Sequence, residues 1–317
     1  MHNTSIASDG SRDHRTISEA IREAPSLSGS PYVIYITRGN YYENVVIPKD
    51  KKNLVFIGDG MEVTKIIGHR SNASGFGTQD TATLVVLGDG FMARDIGIVN
   101  AAGPNGNQAV ALRTEAKQCV FYRCRIEGYQ DSLYAKRYTQ FYRECEILGT
   151  VDFIFGASTT VLQNCKIYCR RPNPKQHVTV TADGKDDPGI LTGIVLHNCS
   201  ILATKELREA KPNVSSYLGR PWRPYSTTVV MQSFIGGFVS PQGWSPWNEG
   251  ENETLSTLTY IEYGNRGPGS NTTSRVKWGG FKVFNNSKDV LQFTVQNFLN
   301  GSDWLPSTGV PFLPGLM

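Results

Sequence analysis

The sequence predicts an all-β chain folded as a parallel β-helix, and two observations lead to this fold. From Tyr32 to Ser200 the chain consists of brief β-rich runs such as VIYI, NLVFIG, TLVVLG, CVFY and TVDFIF, separated by Gly, Asn and Asp. A Cys-X-Ile pattern also recurs, with steps of 21, 20 and 34 residues, at Cys124, Cys145, Cys165 and Cys199. Steps of about 20 residues fit one coil of a parallel β-helix, and the longer step fits a coil that carries an inserted loop.

A β-sandwich with coincidental cysteine spacing is the alternative fold. Sandwich strands are joined by hairpins, and hairpin signals are scarce in this sequence, with Asn105-Gly106 as the one clear exception. The repeat therefore favours the β-helix.

Short helices are expected near both ends of the chain. At the N-terminal end Thr16 and Glu19 form a capping box, and apolar residues then share one helical face until Pro25 ends the helix. Near the other end, the run VQNFLN followed by Gly301 predicts a short helix that packs outside the coils. Beyond about residue 200 the repeat gives way to longer loops, but the sequence shows no sign of a second domain. Residues 1–317 are therefore expected to form a single domain.

Composition excludes several classes of function. No apolar run approaches the roughly 18 residues of a membrane helix, so no membrane span is expected. The N-terminus lacks the regions of a signal peptide, and we expect the sequence to begin after a removed leader. The net charge of +4 is too small to indicate a nucleic-acid partner, but it favours an acidic polymer. Sequons typical of a secreted protein occur at Asn3, Asn72, Asn198, Asn213, Asn252, Asn271, Asn285 and Asn300.

The six cysteines indicate structure rather than metal binding, because they form no CxxC pair and no histidine stands at zinc-ligand spacing. Cys165 and Cys199 are within disulfide reach if they stack on neighbouring coils, and so are Cys124 and Cys145. Cys145 and Cys165 are also one step apart, so the pairing stays open. An unoxidised, inward-facing thiol ladder is the alternative.

Two aspartates occupy equivalent positions on successive coils. Asp131 follows Cys124 by seven residues, and Asp152 follows Cys145 by seven residues. Neighbouring strands are ~4.8 Å apart, so outward-facing carboxylates at these positions should lie about that close. Two such groups do not both ionise cheaply, and an acid beside a carboxylate nucleophile is a known catalytic arrangement. The alternative is that each aspartate caps a turn, but Asp152 stands among apolar residues in GTVDFIFG, where an unpaired carboxylate is costly.

Other residues could complete such a site. Arg220 in LGRPW is the candidate to hold a carboxylate bidentately, and Trp222 could offer its ring to a sugar. Gln108 and Gln130 supply the neutral amide donors that an oxyanion hole requires. Competing motifs are weaker: GDGFMA matches a dinucleotide fingerprint but continues as a strand, and there is no GxSxG, HExxH or P-loop.

At these residues the chain resembles a known family. The ordered blocks GNYYENV, NQAVALR, YQDSLY, GTVDFIFG and LGRPW, followed by STGVPF, are similar to the recurrent blocks of the plant pectin methylesterases. The resemblance implies a right-handed parallel β-helix that hydrolyses the C6 methyl ester of homogalacturonan without a cofactor. It also implies a secreted monomer of the cell wall, which a proteinaceous inhibitor could bind. The inhibitor-like pro-region of many members is expected to be absent.

Carried over by block, the resemblance implies specific roles. The nucleophile falls on Asp152, the general acid/base on Asp131, the oxyanion donors on Gln108 and Gln130, and the positioning arginine on Arg220. The family's substrate-cleft aromatics fall on Tyr134, Phe155, Tyr217, Trp222 and Trp247. The chain departs from the family by Ser in QDSL, where Thr is usual, and by the N-terminal block DGSRDHRTI, where end-capping could differ.

Two rival functions follow from the same residues. Carboxylates ~5 Å apart also suit a retaining glycosidase, and a lyase on the same fold is a related possibility. A non-catalytic carbohydrate-binding or inhibitor-binding β-helix is the third reading, because fold does not fix function. The complete set of candidate catalytic residues argues against a dead enzyme.

Overall fold

The strands of this computed structural model stack into three parallel sheets, which confirms the predicted right-handed parallel β-helix. The structure describes residues 2–248, 250 and 252–317, without the side chain of the sequon residue Asn252. Each complete coil contributes one strand to each sheet. The strands pair with those of the coils before and after, as parallel neighbours.

The strands of the three sheets follow in chain order. The eleven-stranded sheet contains Thr4–Ile6, Tyr32–Ile36, Leu54–Gly58, Met92–Arg94, Cys119–Tyr122, Thr139–Arg143, Thr159–Gln163, Gly193–His197, Thr227–Met231, Thr259–Tyr263 and Phe281–Phe284. The eight-stranded sheet contains Gly39–Tyr41, Thr64–Gly68, Gly97–Asn100, Arg125–Glu127, Glu146–Gly149, Lys166–Cys169, Ser200–Ala203 and Phe234–Ile235. The seven-stranded sheet contains Val45–Ile47, Leu84–Val86, Leu112–Glu115, Leu133–Arg137, Ile154–Gly156, Val178–Asp183 and Ser216–Gly219.

Aromatic side chains form a ladder in the interior of the coil stack. Phe56, Phe121 and Tyr142 lie on strands of the eleven-stranded sheet, and Phe91 immediately precedes the strand Met92–Arg94. From one coil to the next, the ring centroids are 5.2, 5.8 and 4.9 Å apart. All four rings are fully buried. Each such contact adds about 0.5–1.5 kcal/mol to the burial of apolar area, so the ladder favours one register of the coils.

The cysteines of the repeat form a second interior ladder. The residues that directly follow Cys124, Cys145, Cys165 and Cys199 pair with one another on adjacent strands of the eight-stranded sheet. The four cysteines therefore lie on consecutive coils. All six cysteines are buried free thiols in this structure, as in the unoxidised alternative. Burial raises the pKa of the Cys119 thiol well above its usual range. Disulfide formation stays a prediction, which peptide mapping without reduction can check.

Helices cover one end and one side of the stack. The predicted N-terminal helix spans Ile17–Glu23 and has the expected Thr16/Glu19 capping box. The predicted C-terminal helix spans Val295–Leu299, and its apolar residues pack on outward valines of the eleven-stranded sheet. The other short helices are α-helical at Lys205–Arg208, Asn252–Thr257 and Gly301–Trp304, and 3₁₀ at Asn72–Ser74, Thr78–Thr81, Pro104–Gly106, Ser287–Asp289, Leu291–Phe293 and Leu305–Thr308. Asn105-Gly106 therefore lies in a 3₁₀ turn, not in a hairpin.

Within the described residues, no helix is long and apolar enough to cross a membrane.

Candidate active site

A cleft of about 450 Å³ lies on the outer face of the seven-stranded sheet. Its lining consists of Thr78, Gln79, Gln108, Gln130, Asp131, Tyr134, Asp152, Phe155, Ala182, Arg220, Trp222 and Trp247. A cavity of about 480 Å³ opens elsewhere, beside Arg208 and Phe238, but no carboxylate or histidine lines it. Chemistry therefore concentrates in the smaller cleft.

Asp131 and Asp152 enter the cleft from adjacent coils. The register Leu133 opposite Ile154 fixes this relationship, and the Asp131 N–H donates to the Val151 carbonyl at 3.0 Å. Both aspartates adopt left-handed backbone conformations, with φ of 65° and 50°, at the turns that lead into their strands. Aspartate tolerates this conformation better than most residues. Their exposed fractions are 7% and 5%, so the substrate must reach carboxyl groups that are almost fully buried.

Arg220 and Thr179 hold Asp152 from both sides. The Arg220 Nε donates to Oδ1 at 2.8 Å, and its Nη2 donates to Oδ2 at 2.6 Å. The Thr179 hydroxyl donates to Oδ1 at 2.6 Å and accepts from the Asp152 backbone N–H at 2.8 Å. A bidentate ion pair of this kind favours the ionised carboxylate and fixes its orientation.

Among the residues that the structure describes, none holds the Asp131 carboxyl group in this way. Burial raises the pKa of its carboxyl well above the usual range, the negative charge of Asp152 raises it further, and Arg220 opposes the shift. The two aspartates thus differ in their surroundings: the ion pair with Arg220 favours charge on Asp152, whereas burial favours the proton on Asp131. This difference is the one that acid catalysis beside a nucleophile requires.

The two glutamines lie on the turns that precede the same sheet. Gln108 and Gln130 both line the cleft, and the Ala109 N–H donates to the Gln130 carbonyl at 3.2 Å, which joins their coils. Their side-chain amides are neutral donors beside the acid pair. They are suited to receive negative charge that develops on a carbonyl oxygen.

Aromatic side chains form the walls of the cleft. Tyr134 and Phe155 are register partners on neighbouring strands, and their rings stack at 4.2 Å. Trp222 meets Phe155 edge-on at 6.0 Å. The Trp247 ring lies 4.2 Å from the Arg220 guanidinium carbon, so it covers the arginine as a cation–π partner.

Tyr217 is the one predicted site residue that the structure does not bring into this lining. It lies beside Thr179 on the next coil, where its ring meets His177 edge-on at 5.5 Å. Four lining or supporting residues were not predicted from the sequence: Thr78, Gln79, Ala182 and Thr179. The β-rich run VTVTAD was the available signal for Thr179, but the inserted loop before it breaks the 21-residue spacing.

The arrangement can transfer an acyl group without a metal. It offers a fixed carboxylate, an adjacent acid and neutral amide donors in one water-accessible cleft. Among the described residues, no group of three or more His, Cys, Asp and Glu side chains is placed to bind a metal ion.

The chain is similar in sequence and structure to several known proteins. A family model described as Pectinesterase matches residues 3–302. The chain is 49% identical over 314 residues to Pectinesterase 2 of Citrus sinensis, covering 99% of this chain and 61% of that protein. It is 50% identical over 313 residues to Probable pectinesterase/pectinesterase inhibitor 16 of Arabidopsis thaliana, covering 98% and 58%. The solved pectin methylesterase from carrot matches with a TM-score of 0.98 and 47% identity, covering 100% of this chain and 98% of that one.

These matches differ in how much of each partner they cover. The chain spans about three-fifths of the length of the curated relatives described above, but nearly the whole of the solved carrot structure.

Proposed function

The chain belongs to the pectinesterase family, and from this membership we propose that it hydrolyses the C6 methyl ester of homogalacturonan. The observation that carries the proposal is the pair of unlike aspartates: Asp152 is held as a carboxylate by Arg220, and Asp131 is buried beside it with a raised pKa. The products are methanol and a free galacturonate carboxylate.

In the first half-reaction an Asp152 oxygen attacks the ester carbonyl carbon. The carbonyl oxygen gains negative charge, which the amides of Gln108 and Gln130 stabilise. When the tetrahedral intermediate collapses, the bond to the methoxy oxygen breaks and Asp131 gives its proton to that oxygen. Methanol leaves, and an acyl-enzyme anhydride remains on Asp152.

The second half-reaction restores both aspartates. Asp131, now a carboxylate, takes a proton from a water molecule as that water attacks the anhydride at the galacturonate carbonyl. The anhydride bond breaks, Asp152 leaves as a carboxylate, and Arg220 again pairs with it. No cofactor or metal enters this sequence.

The amide donors favour ester hydrolysis over glycoside hydrolysis. Acyl transfer develops negative charge on an oxygen, which Gln108 and Gln130 can stabilise. A glycosidase transition state resembles an oxocarbenium ion and is positively charged at the sugar ring, so neutral N–H donors would not assist it. The cleft chemistry thus agrees with the family.

The cellular setting is part of the same proposal. A pectin substrate places the protein in the cell wall, outside the cell, where its net charge of +4 favours association with the acidic polymer. We propose that it acts as a monomer, and that a proteinaceous inhibitor is a partner for the cleft. The inhibitor as a partner is supported by the name of the Arabidopsis relative, which contains the words pectinesterase inhibitor.

One experiment tests the function directly. The chain is incubated with highly methylated pectin, and methanol and polymer length are followed together. An esterase releases methanol at constant chain length, whereas a depolymerase lowers viscosity and creates new chain ends. Binding without either change would indicate a non-catalytic protein.

A further inference from the structure

We propose that Asp183 is a positioning residue, which clamps the segment 220–227 so that Arg220 and Trp222 keep their places in the cleft. The inference rests on the proposed function for its kinetic readout. Its structural part concerns only how one buried carboxyl group holds a neighbouring segment.

Asp183 binds the segment at two separate points. Its carboxyl Oδ2 accepts from the Thr227 N–H at 2.7 Å, and its backbone carbonyl accepts from the Trp222 N–H at 3.2 Å. Oδ2 also accepts from the Lys185 N–H at 3.2 Å, which folds the chain after the strand back onto the carboxyl group. A single residue therefore ties both the middle and the far end of the segment.

The strand of Asp183 supports the rest of the segment. The Arg220 N–H donates to the Thr181 carbonyl at 3.0 Å, and the Tyr225 N–H donates to the Lys185 carbonyl at 3.1 Å. Trp222 closes directly on Gly184, where an added Cβ would lie 2.6 Å from the ring carbon Cε3. These backbone bonds would remain in any Asp183 variant, so the carboxyl group acts on Arg220 and Trp222 by fixing the Thr227 end of their segment.

The clamp is a fully buried acid rather than a neutral group. Its exposed fraction is 0%, and within the described part of the chain its Oδ1 is buried without a hydrogen-bond partner. Burial raises the pKa of this carboxyl to about 7, against the opposing effect of the Thr227 and Lys185 N–H groups and the Lys185 charge. The Tyr260 phenol, on a strand of the eleven-stranded sheet, is near enough for the charge of Asp183 to raise its pKa.

The strength of the clamp should therefore depend on pH. An ionised carboxylate accepts stronger N–H bonds than a neutral carboxyl, by about a factor of two. The bonds to Thr227 and Lys185 should tighten as Asp183 loses its proton. Asparagine at this position would keep a neutral acceptor at all pH values, and alanine would leave the buried Thr227 N–H without a partner.

The test compares Asp183→Ala and Asp183→Asn with the wild-type chain, using Asp186→Asn as the control. Asp186 is exposed and lies only three residues away. We expect Asp183→Ala to lower kcat/KM for methanol release by roughly tenfold and to speed hydrogen exchange at the Thr227 amide. Asp183→Asn should restore both at acid pH. The ratio of wild-type to Asp183→Asn kcat/KM should then rise by roughly fivefold in a step centred near pH 7.

Two results would overturn the clamp. One is Asp183→Ala with unchanged kinetics and unchanged exchange at Thr227. The other is a flat ratio of wild type to Asp183→Asn from about pH 5 to about pH 9, which decides the matter even if the alanine variant fails to fold. If the wild-type chain releases no methanol, the proposed function fails, while hydrogen exchange at Thr227 still supports or refutes the clamp.

Discussion

Arg220 reaches both oxygens of Asp152, with Nε to Oδ1 at 2.8 Å and Nη2 to Oδ2 at 2.6 Å. The two residues are 68 positions apart in the sequence and come from different coils. Their side chains are 18% and 7% exposed, so the pair is partly shielded from water. This contact separates the roles of the two aspartates, because it leaves the arginine's charge closest to one of them.

Asp152→Asn should abolish turnover. Asparagine keeps the shape of aspartate but removes the nucleophilic charge, so methanol release should fall roughly 10⁴-fold or more. The cleft aromatics remain, and binding of methylated oligogalacturonide should persist. Asp303→Asn, at an exposed position on a C-terminal helix, is the matched control. Near-normal methanol release by a folded Asp152→Asn variant would send the search for the nucleophile elsewhere.

Arg220→Lys should reduce kcat more than it changes KM. Lysine keeps the charge but cannot donate two parallel N–H bonds to one carboxylate, so Asp152 loses its fixed orientation. We expect a loss of about 10²-fold in kcat, typical of a reacting group that is slightly misplaced. Arg223→Lys, on the same segment but exposed, provides the comparison, because its guanidinium carbon lies 5.4 Å from the Trp222 ring and touches no carboxylate in the cleft. Equal kinetics for the two variants would argue against a positioning role.

The repeat explains why much of this site could be predicted from the sequence. A step of 21 residues places Asp131 and Asp152 at equivalent points on adjacent coils, and parallel pairing then brings them together. Arg220 could be selected only by its chemistry, as a partner for a carboxylate among apolar residues. Its actual contact depends on the long excursion between two coils, which no spacing rule describes.

The residues that could not be predicted lie where the repeat is interrupted. Thr179 follows Asp152 by 27 residues because an inserted loop lengthens that coil, so a fixed step does not align the two. Tyr217 stays a prediction as a substrate-cleft residue. The register pairs it with Thr179, whose hydroxyl donates to Asp152, and its ring contacts His177. The role of Asp183 could not be predicted, because in the sequence it is only the last residue of a β-rich run.

Thr179→Val should impair catalysis while preserving the fold. Valine matches threonine in shape but removes the hydroxyl, which both donates to Asp152 Oδ1 and accepts from the Asp152 N–H. A buried N–H without a partner costs about 1–3 kcal/mol, so thermal stability should fall. Loss of the hydroxyl bond to Oδ1 should leave the nucleophile less well oriented, so kcat should fall by roughly 10- to 100-fold. Thr179→Ser, which restores the hydroxyl, should recover most of the activity. Failure of serine to rescue would show that only side-chain packing matters there.

Chelation should leave methanol release unchanged. The proposed steps use two carboxyl groups and two amides, none of which needs a metal ion. Salt can still change the rate by screening a charged polymer, so the chelator must be added at constant ionic strength. Activity lost on chelation and restored by one specific divalent ion would contradict this mechanism.

Asp131→Asn should be severely impaired, yet less so than Asp152→Asn. The variant cannot protonate departing methanol or activate water, and general acid-base catalysis typically contributes ~10²–10⁴-fold.

The free energy of unfolding should instead favour the Asp131→Asn variant as pH rises. Because burial raises the pKa of Asp131 above its unfolded value of 3.8, the folded state favours the protonated form. The wild-type free energy of unfolding should therefore fall, relative to that of Asp131→Asn, as pH rises above about 4. Wild-type kcat/KM should also decline with rising pH as Asp131 loses its proton. Denaturant unfolding and methanol release measured across the same pH series check both expectations, and a stability difference that does not vary with pH would refute the assignment of Asp131 as the protonated partner.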